Sequence, residues 1–320
     1  MKLALKIDVG TYRGTREGVP RLAELLTRHG AGATFLFSMG PDHTGRAINR
    51  LVRSRFPGKS SRTSALDHYG CKALLYGTLL PAPDIGRRCA ATMRAVRDAG
   101  FDVGIHAWNH VKWQDGVTIA DAEWTRGEMQ RAGDRFEQIF GESARAHGAV
   151  GWQMNLHAHR LSQQMGFDYC SDTRGYWPFV PVCNAEIIAC PQLPTTLPTL
   201  DELIGVDGLT PDNVADFVLE LSSVEARAGH IFTLRAELEG MKLAPTFERM
   251  LEGWSRAGHE LVSLRDYFAA LDVRALPRHS IETGYVPGRS GTLCMQGDEF
   301  LAVPGEPLPA PGIYPTIEPT

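Results

Sequence analysis

KLALKIDVGTYRGTREGVPRLAELLTRHGAGATFLFSM, residues 2–39, holds one complete structural unit. Residues 2–8 are a short apolar run that ends in an acid, and 33–39 are a second apolar run, each with the length of a buried strand. Between them Val19, Leu22, Leu25 and Leu26 recur at the spacing of one helical face. A helix is expected over 16–29, with Thr15 as its cap and Gly30 as its stop. A strand, a helix and a second strand joined by so few residues form the crossover that parallel strands require.

The same alternation continues outward from this unit. Helix 86–99 precedes a strand at 101–106, and helix 119–139 precedes a short strand near 148–150. Helix 156–165 leads to FDYCS (167–171), followed by EIIAC (186–190), helix 211–228 and HIFTL (230–234). Helix 244–257, ELVSL (260–264) and a last helix complete the series. Apolar strands alternating with amphipathic helices define an α/β chain whose mostly parallel sheet is covered by helices. About seven such units favour a barrel over an open sheet, and in a barrel the chemistry lies at the carboxyl ends of the strands. That rule selects Asp8 after the first strand, His106 after the third, and Arg235 and Glu237 after HIFTL.

Composition narrows the function classes. The 320 residues carry 33 basic and 37 acidic side chains, a formal net charge of −4, with 43% hydrophobic and 22% charged residues. These values suit a globular protein and exclude collagen, coiled coil and disorder. They give no case for nucleic acid as a partner. The cysteines at 71, 89, 170, 183, 190 and 294 form no C-x-x-C pair and read as scattered small apolar residues of a reducing cytosol. MKLALKIDVG is too short an apolar start for an export signal, and no run approaches the ~20 apolar residues of a spanning helix.

Two stretches break the rhythm. Residues 301–320 are a proline-rich tail to a domain spanning 1–300. Residues 40–85 insert after the second strand, where a crossover loop takes a handful of residues. Within the insertion Arg46, Arg50, Arg53, Arg55, Lys59, Arg62 and Lys72 stand against Asp67 alone, with Ile48, Leu51, Val52 and Phe56 interleaved near helical spacing. Such a segment reads either as a solvated helix face or as an element that docks on an anionic membrane surface. The apolar run ALLYGTLLP (73–81) favours lipid contact.

The sharpest local signal is His106-Ala-Trp-Asn-His110, because imidazoles four residues apart on a helical turn can share one divalent ion. Trp108, Trp113, Trp152 and Trp177 lie near the same segments and suit either a sugar-stacking platform or plain core.

IDVGTYRGTREGVPRL (7–22), GIHAWNHVKWQ (104–114), SDTRGYWPF (171–179), LPTTLPTLDELIG (193–205) and RAELEG (235–240), in this order, resemble the ArnD family. That family lies in the polysaccharide deacetylase (NodB-homology) superfamily, and the resemblance implies a distorted (β/α) barrel, here with a helical insertion after the second strand. It also implies an amide hydrolase that releases formate from 4-deoxy-4-formamido-L-arabinose carried on undecaprenyl phosphate. The implied setting is the cytoplasmic face of the bacterial inner membrane, in the lipid A modification that supports polymyxin resistance. The partners would be a lipid-linked sugar and the membrane surface.

Carried over residue by residue, the likeness departs in places. The family's Asp-Val-Asp-Thr motif, with a base and then a metal ligand, is Asp8-Val9-Gly10-Thr11 here. The His-x-x-x-His metal pair is intact as His106 and His110. The arginine of the Gly-Trp-Arg motif, which orients the base, is Gln153, and the His-Ala-Glu motif is Arg235-Ala236-Glu237. Asp8, Gln153, Arg235 and Glu237 are thus the expected catalytic positions. His106, His110 and, in place of the missing carboxylate, Asp8 are the expected ligands of a zinc-like ion. Two neutral ligands hold such an ion weakly. Arg235 can stabilise an oxyanion but cannot donate a proton, and Gln153 lacks the charge that would keep Asp8 ionised. The alternatives are a catalytically degenerate barrel that still binds lipid-linked sugar, and an amide hydrolase of a different substrate.

Overall fold

β1 (Lys2–Val9) is buried from Leu3 onward and takes three parallel neighbours. It pairs with β8 (His230–Arg235) over Leu3 to Asp8, with β2 (Thr34–Ser38) over Lys6 to Val9, and with β9 (Glu260–Val262) over Lys2 to Ala4. β8 occupies one edge of β1, so β2 and β9 share the other. From β2 the sheet continues through β3 (Asp102–Ala107) and β4 (Ala146–His147) to β5 (Tyr169–Cys170). The computed structural model describes residues 1–46, 75–287, 289 and 291–301.

This parallel sheet curls into a half-barrel with its helices outside, and an extended segment spans the gap between β5 and β8. Cys170 N donates to Pro191 O at 2.8 Å and Leu193 N to Cys170 O at 2.7 Å. Three residues on, Thr196 N donates to Ile231 O at 3.1 Å, and the Thr195 and Thr233 hydroxyls meet at 2.6 Å. The distorted (β/α) barrel expected from the sequence is therefore the fold. The sheet core is Leu5, Ile7, Phe35, Phe37 and Phe232, backed by Leu22, Met250 and Trp254 from the helices.

Several local expectations need correction. EIIAC does not join the barrel. β7 (Glu186–Ile187) pairs antiparallel with β6 (Val180–Cys183), and a second sheet of order β11-β10-β6-β7 adds β10 (Arg278–Gly284) and β11 (Leu293–Glu299). A short apolar run does not specify which sheet it enters. Helix 86–99 is broken at Cys89 into Ile85–Arg88 and Ala90–Asp98, with Asp84 capping the first piece by accepting from Arg87 N at 2.9 Å. Thr15 caps nothing. It lies inside a π-helical turn, Gly14–Gly18, and its hydroxyl donates to Thr11 O at 2.7 Å. The turn presses Gly18 against the end of β8, where a Cβ would stand 2.0 Å from Ala236 O. Most of the basic insertion, 47–74, and the tail beyond residue 301 lie outside the described residues.

At the amino end of the barrel a buried carboxylate ties three strands to the last helix. Thr34 Oγ1 and Tyr169 Oη both donate to Asp102 Oδ2, at 2.7 and 2.6 Å, and Leu264 N donates to Thr34 Oγ1 at 2.8 Å. Tyr169→Phe removes one donor from a carboxylate that water barely reaches. It is expected to lower the unfolding free energy by about 1.5–3 kcal/mol, the worth of a hydrogen bond to a charged group. Urea denaturation of the two proteins at neutral pH checks this.

Candidate functional site

The site forms where β1, β3, β4 and β8 end together. Asp8 is the penultimate residue of β1 and faces Arg235, its register partner at the end of β8. Strand alternation puts Lys6 on the same face as Asp8, two residues earlier. Lys6 is wholly buried. Its Nζ donates to Ser171 O at 2.8 Å, lies 3.6 Å from Asp8 Oδ1 and stands 5.2 Å from the centroid of the Trp152 ring. Asp8 Oδ1 is buried and accepts no hydrogen bond. Burial pushes the Asp8 carboxyl up and the Lys6 ammonium down, while Lys6, Arg235, Arg289 and His110 pull Asp8 back toward its charged form.

His106 and His110 straddle the junction between β3 and the helix His110–Gly116, which Asn109 caps by accepting from Lys112 N at 2.9 Å. Their ring centroids are 5.5 Å apart. His106 Nδ1 donates to Gly148 O at 2.7 Å, and burial pushes the pKa of each ring down to about 3. His106 is therefore neutral with its proton on Nδ1, which leaves Nε2 as a donor for a metal, the usual arrangement of a ligating histidine. The chemistry of two neutral imidazoles suits a divalent ion such as zinc.

Gly10 faces His110. A Cβ there would stand 2.7 Å from His110 Cδ2 and 3.1 Å from Nε2. Residue 10 is thus the place from which a carboxylate would reach the pair, and here it supplies none. Asp8 Oδ1 lies 3.7 Å from His106 Nδ1, the nitrogen that is bonded to Gly148 O. Among the described residues the only cluster of metal-ligand type with its donor atoms within 4.8 Å of one another is His147, Cys170 and Asp172. That cluster is already tied by the His147 Nδ1–Asp172 Oδ1 hydrogen bond at 2.8 Å.

The other expected residues engage other partners. Glu237 binds the backbone: its Oε1 accepts from Gly10 N, Thr11 N and Thr11 Oγ1 at 3.0, 2.8 and 2.8 Å. Gln153 turns away from Asp8, its Nε2 donating to Thr292 O at 3.1 Å. Arg235 pairs with Asp201 at 3.1 Å. Trp113 is core, and Trp152 is buried yet stacked by cations, with Arg289 and Arg174 4.3 and 4.8 Å from its ring centroid. Lys6, Asp201 and Arg289 were not singled out from the sequence. The alternation within β1 marks Lys6 and the motif at 193–205 contains Asp201, whereas nothing local marks Arg289.

The fold and these motifs define a polysaccharide deacetylase barrel. The polysaccharide deacetylase family model matches residues 2–170, and the chain belongs to that family. Its place within the family is with ArnD. A protein of Shewanella sediminis, described as a probable 4-deoxy-4-formamido-L-arabinose-phosphoundecaprenol deformylase ArnD, is 35% identical over 92% of this chain and 94% of its own. One of Wigglesworthia glossinidia brevipalpis with the same description is 29% identical over 88% of this chain and 98% of its own. Among solved structures, a chain from Mycobacterium smegmatis assigned provisionally as a polysaccharide deacetylase superposes with a TM-score of 0.60 at 16% identity, over 89% of this chain and 94% of that one. An allantoinase superposes with a TM-score of 0.58 at 14% identity, over 84% and 89%.

Burial of the two imidazoles has a pH consequence. Each ring titrates near 6.5 when free and near 3 in the fold, so the unfolded chain binds protons first as the pH falls. Stability from this source is complete above about pH 6.5 and is lost between about 6.5 and 3, at up to about 1.4 kcal/mol per pH unit for each histidine. His110→Gln should make the decline over this window shallower by one proton's worth. Chemical denaturation at a series of pH values, in chelator, measures it.

Proposed function

We propose that the chain is a deformylase of the ArnD kind, hydrolysing the formamide of a 4-formamido-4-deoxy-L-arabinose-type sugar carried on a polyprenyl phosphate. The observation that carries this reading is the buried Asp8 carboxylate, with one oxygen free of hydrogen bonds, beside the neutral His106–His110 pair at the barrel mouth. Asp8 takes a proton from the attacking water as its oxygen adds to the formyl carbon, and returns that proton to the nitrogen as the C–N bond breaks. Formate and a free amino sugar result. Lys6 holds Asp8 in place and offsets the charge that Gln153 does not supply. His106 and His110 would hold a divalent ion, which when bound polarises the formyl oxygen and acidifies the water. Arg235 stays charged throughout and takes no part in the proton transfers.

In this reading the chain works at the inner face of the inner membrane, because a polyprenyl-linked sugar does not leave the bilayer. The basic segment 46–72 is the proposed docking element. After it in the chain Leu79, 81% exposed, and the more covered Leu75 and Leu80 sit on a loop that meets the turn after β1 through the edge-to-face pair of Tyr76 with Tyr12. Among the described residues no helix is long and apolar enough to cross a membrane.

Formate release from the lipid-linked substrate, with added zinc or cobalt, is the direct assay. Asp8→Asn should reduce the rate about 10²–10⁴-fold, the range for loss of a general base. Gly10→Asp should tighten metal binding, once His110 moves off the position the new Cβ needs, and Gly10→Asp/Gln153→Arg/Arg235→His should raise turnover above that of the parent. No formate from the parent at high enzyme concentration with any of several divalent metals, together with formate from the triple variant, would establish a degenerate barrel instead.

A further inference from the structure

Two arginines from distant parts of the chain meet on a single oxygen at the barrel mouth. Arg235 Nη2 lies 3.1 Å and Arg289 Nη2 3.6 Å from Oδ2 of Asp201. Glu202, next in the chain, is held by Arg174 through both its oxygens, at 2.8 and 3.1 Å, and also accepts from Arg289 Nε. Asp201 is thus the carboxylate that two guanidinium ends share. Arg289 lies against the Trp152 ring, and its Nη2 is buried without a hydrogen-bond acceptor. A buried donor without an acceptor costs free energy, and here it stands at the edge of a mouth where Arg235 is 30% and Asp201 21% exposed. Arg235 is the register partner of Asp8 across β1 and β8, which puts the pair of arginines it forms with Arg289 on Asp201 at the mouth that holds the proposed reacting centre.

We infer that Arg235 and Arg289 form a receptor for an anionic oxygen of the substrate, a phosphate, and that Asp201 holds the place of that oxygen when no substrate is bound. The inference rests on the reading above and adds to it the residues that recognise the sugar's phosphate link. Guanidinium groups suit such an anion because their fixed donors address several oxygens at once. The stacking of Arg289 on Trp152 presets its plane, so little side-chain freedom is lost on binding. The incoming phosphate takes the hydrogen bonds of both Nη2 groups, including the one Arg289 leaves unused, and displaces Asp201 toward solvent. Arginine at position 235, which removes a proton donor from the site, gains a purpose in this arrangement.

The test is calorimetric binding of two soluble probes to the full chain: 4-formamido-4-deoxy-L-arabinose 1-phosphate and the neutral methyl glycoside of the same sugar. The parent should prefer the phosphate by about tenfold or more, the scale of one or two charge-assisted contacts. Arg289→Met and Arg235→Met should each collapse that preference, whereas Asp201→Asn should increase it by removing the competing carboxylate. Equal affinity of the parent for the two probes, or a preference that survives both arginine variants, overturns the inference. Thermal melts check folding, and if Arg289→Met is unstable, the more exposed Arg235→Met decides. Formate release from the methyl glycoside reports on hydrolysis alone. Absence of formate with an intact phosphate preference would remove the deformylase and leave the receptor, and formate without a phosphate preference would do the reverse.

Discussion

One carboxylate oxygen, Oε1 of Glu237, accepts from Gly10 N, Thr11 N and Thr11 Oγ1. Those contacts join the turn after β1 to the turn after β8, and the rest of the mouth is arranged around the join. Asp8 and Arg235 face one another because their strands are in register there, and the Glu237 bond carries that register past the strand ends. Gly14 and Gly18 are needed for the same reason, since a Cβ at either would strike Glu237 or the Ala236 carbonyl. The family likeness gives Glu237 a place in a catalytic motif. In the fold its Oε1 binds the loop from which a ligand at position 10 would project.

The electrostatics of the mouth follow from burial. Asp8, Lys6, His106 and His110 are all pushed toward their neutral forms by desolvation. Attraction from neighbouring opposite charges opposes it at Asp8, Lys6 and His110, and the hydrogen bond to Gly148 O opposes it at His106. Imidazoles that stay neutral down to about pH 3 are competent metal donors at any physiological pH, so the weak point of the proposed metal site is the number of ligands and not their protonation. Lys6 supplies positive charge from inside the barrel wall, in a place where Gln153 supplies none.

How far the sequence could be read depended on the range of each interaction. Most strands of the barrel and the His106–His110 spacing were legible because apolar runs and a period-four pattern are written within a few residues, whereas the short strand expected near 148–150 lies at Ala146–His147 and is followed by a helical turn at Val150–Trp152. Asp8 was legible because it ends a strand. The π-helical turn was not, since it answers to the Ala236 carbonyl on the far side of the chain. Likewise Arg289 meets Trp152 and Asp201 only through tertiary packing, and the second sheet joins β6 to β10 across a long stretch of sequence. The departures at Gly10, Gln153 and Arg235 were visible at once. Lys6 beside Asp8 follows from the alternation along β1, whereas Asp201 between two arginines comes only from tertiary packing.

The segment that closes the barrel between β5 and β8 runs on directly into Asp201 and Glu202. Its backbone bonds are few and irregular compared with those of a strand in a regular ladder, so it is the seam of the wall. The seam and the acidic edge of the mouth are one continuous piece of chain. One piece of chain therefore carries both the closure of the barrel and the edge of its mouth, and on it Thr195 accepts from Trp152 Nε1, whose ring Arg289 and Lys6 rest against.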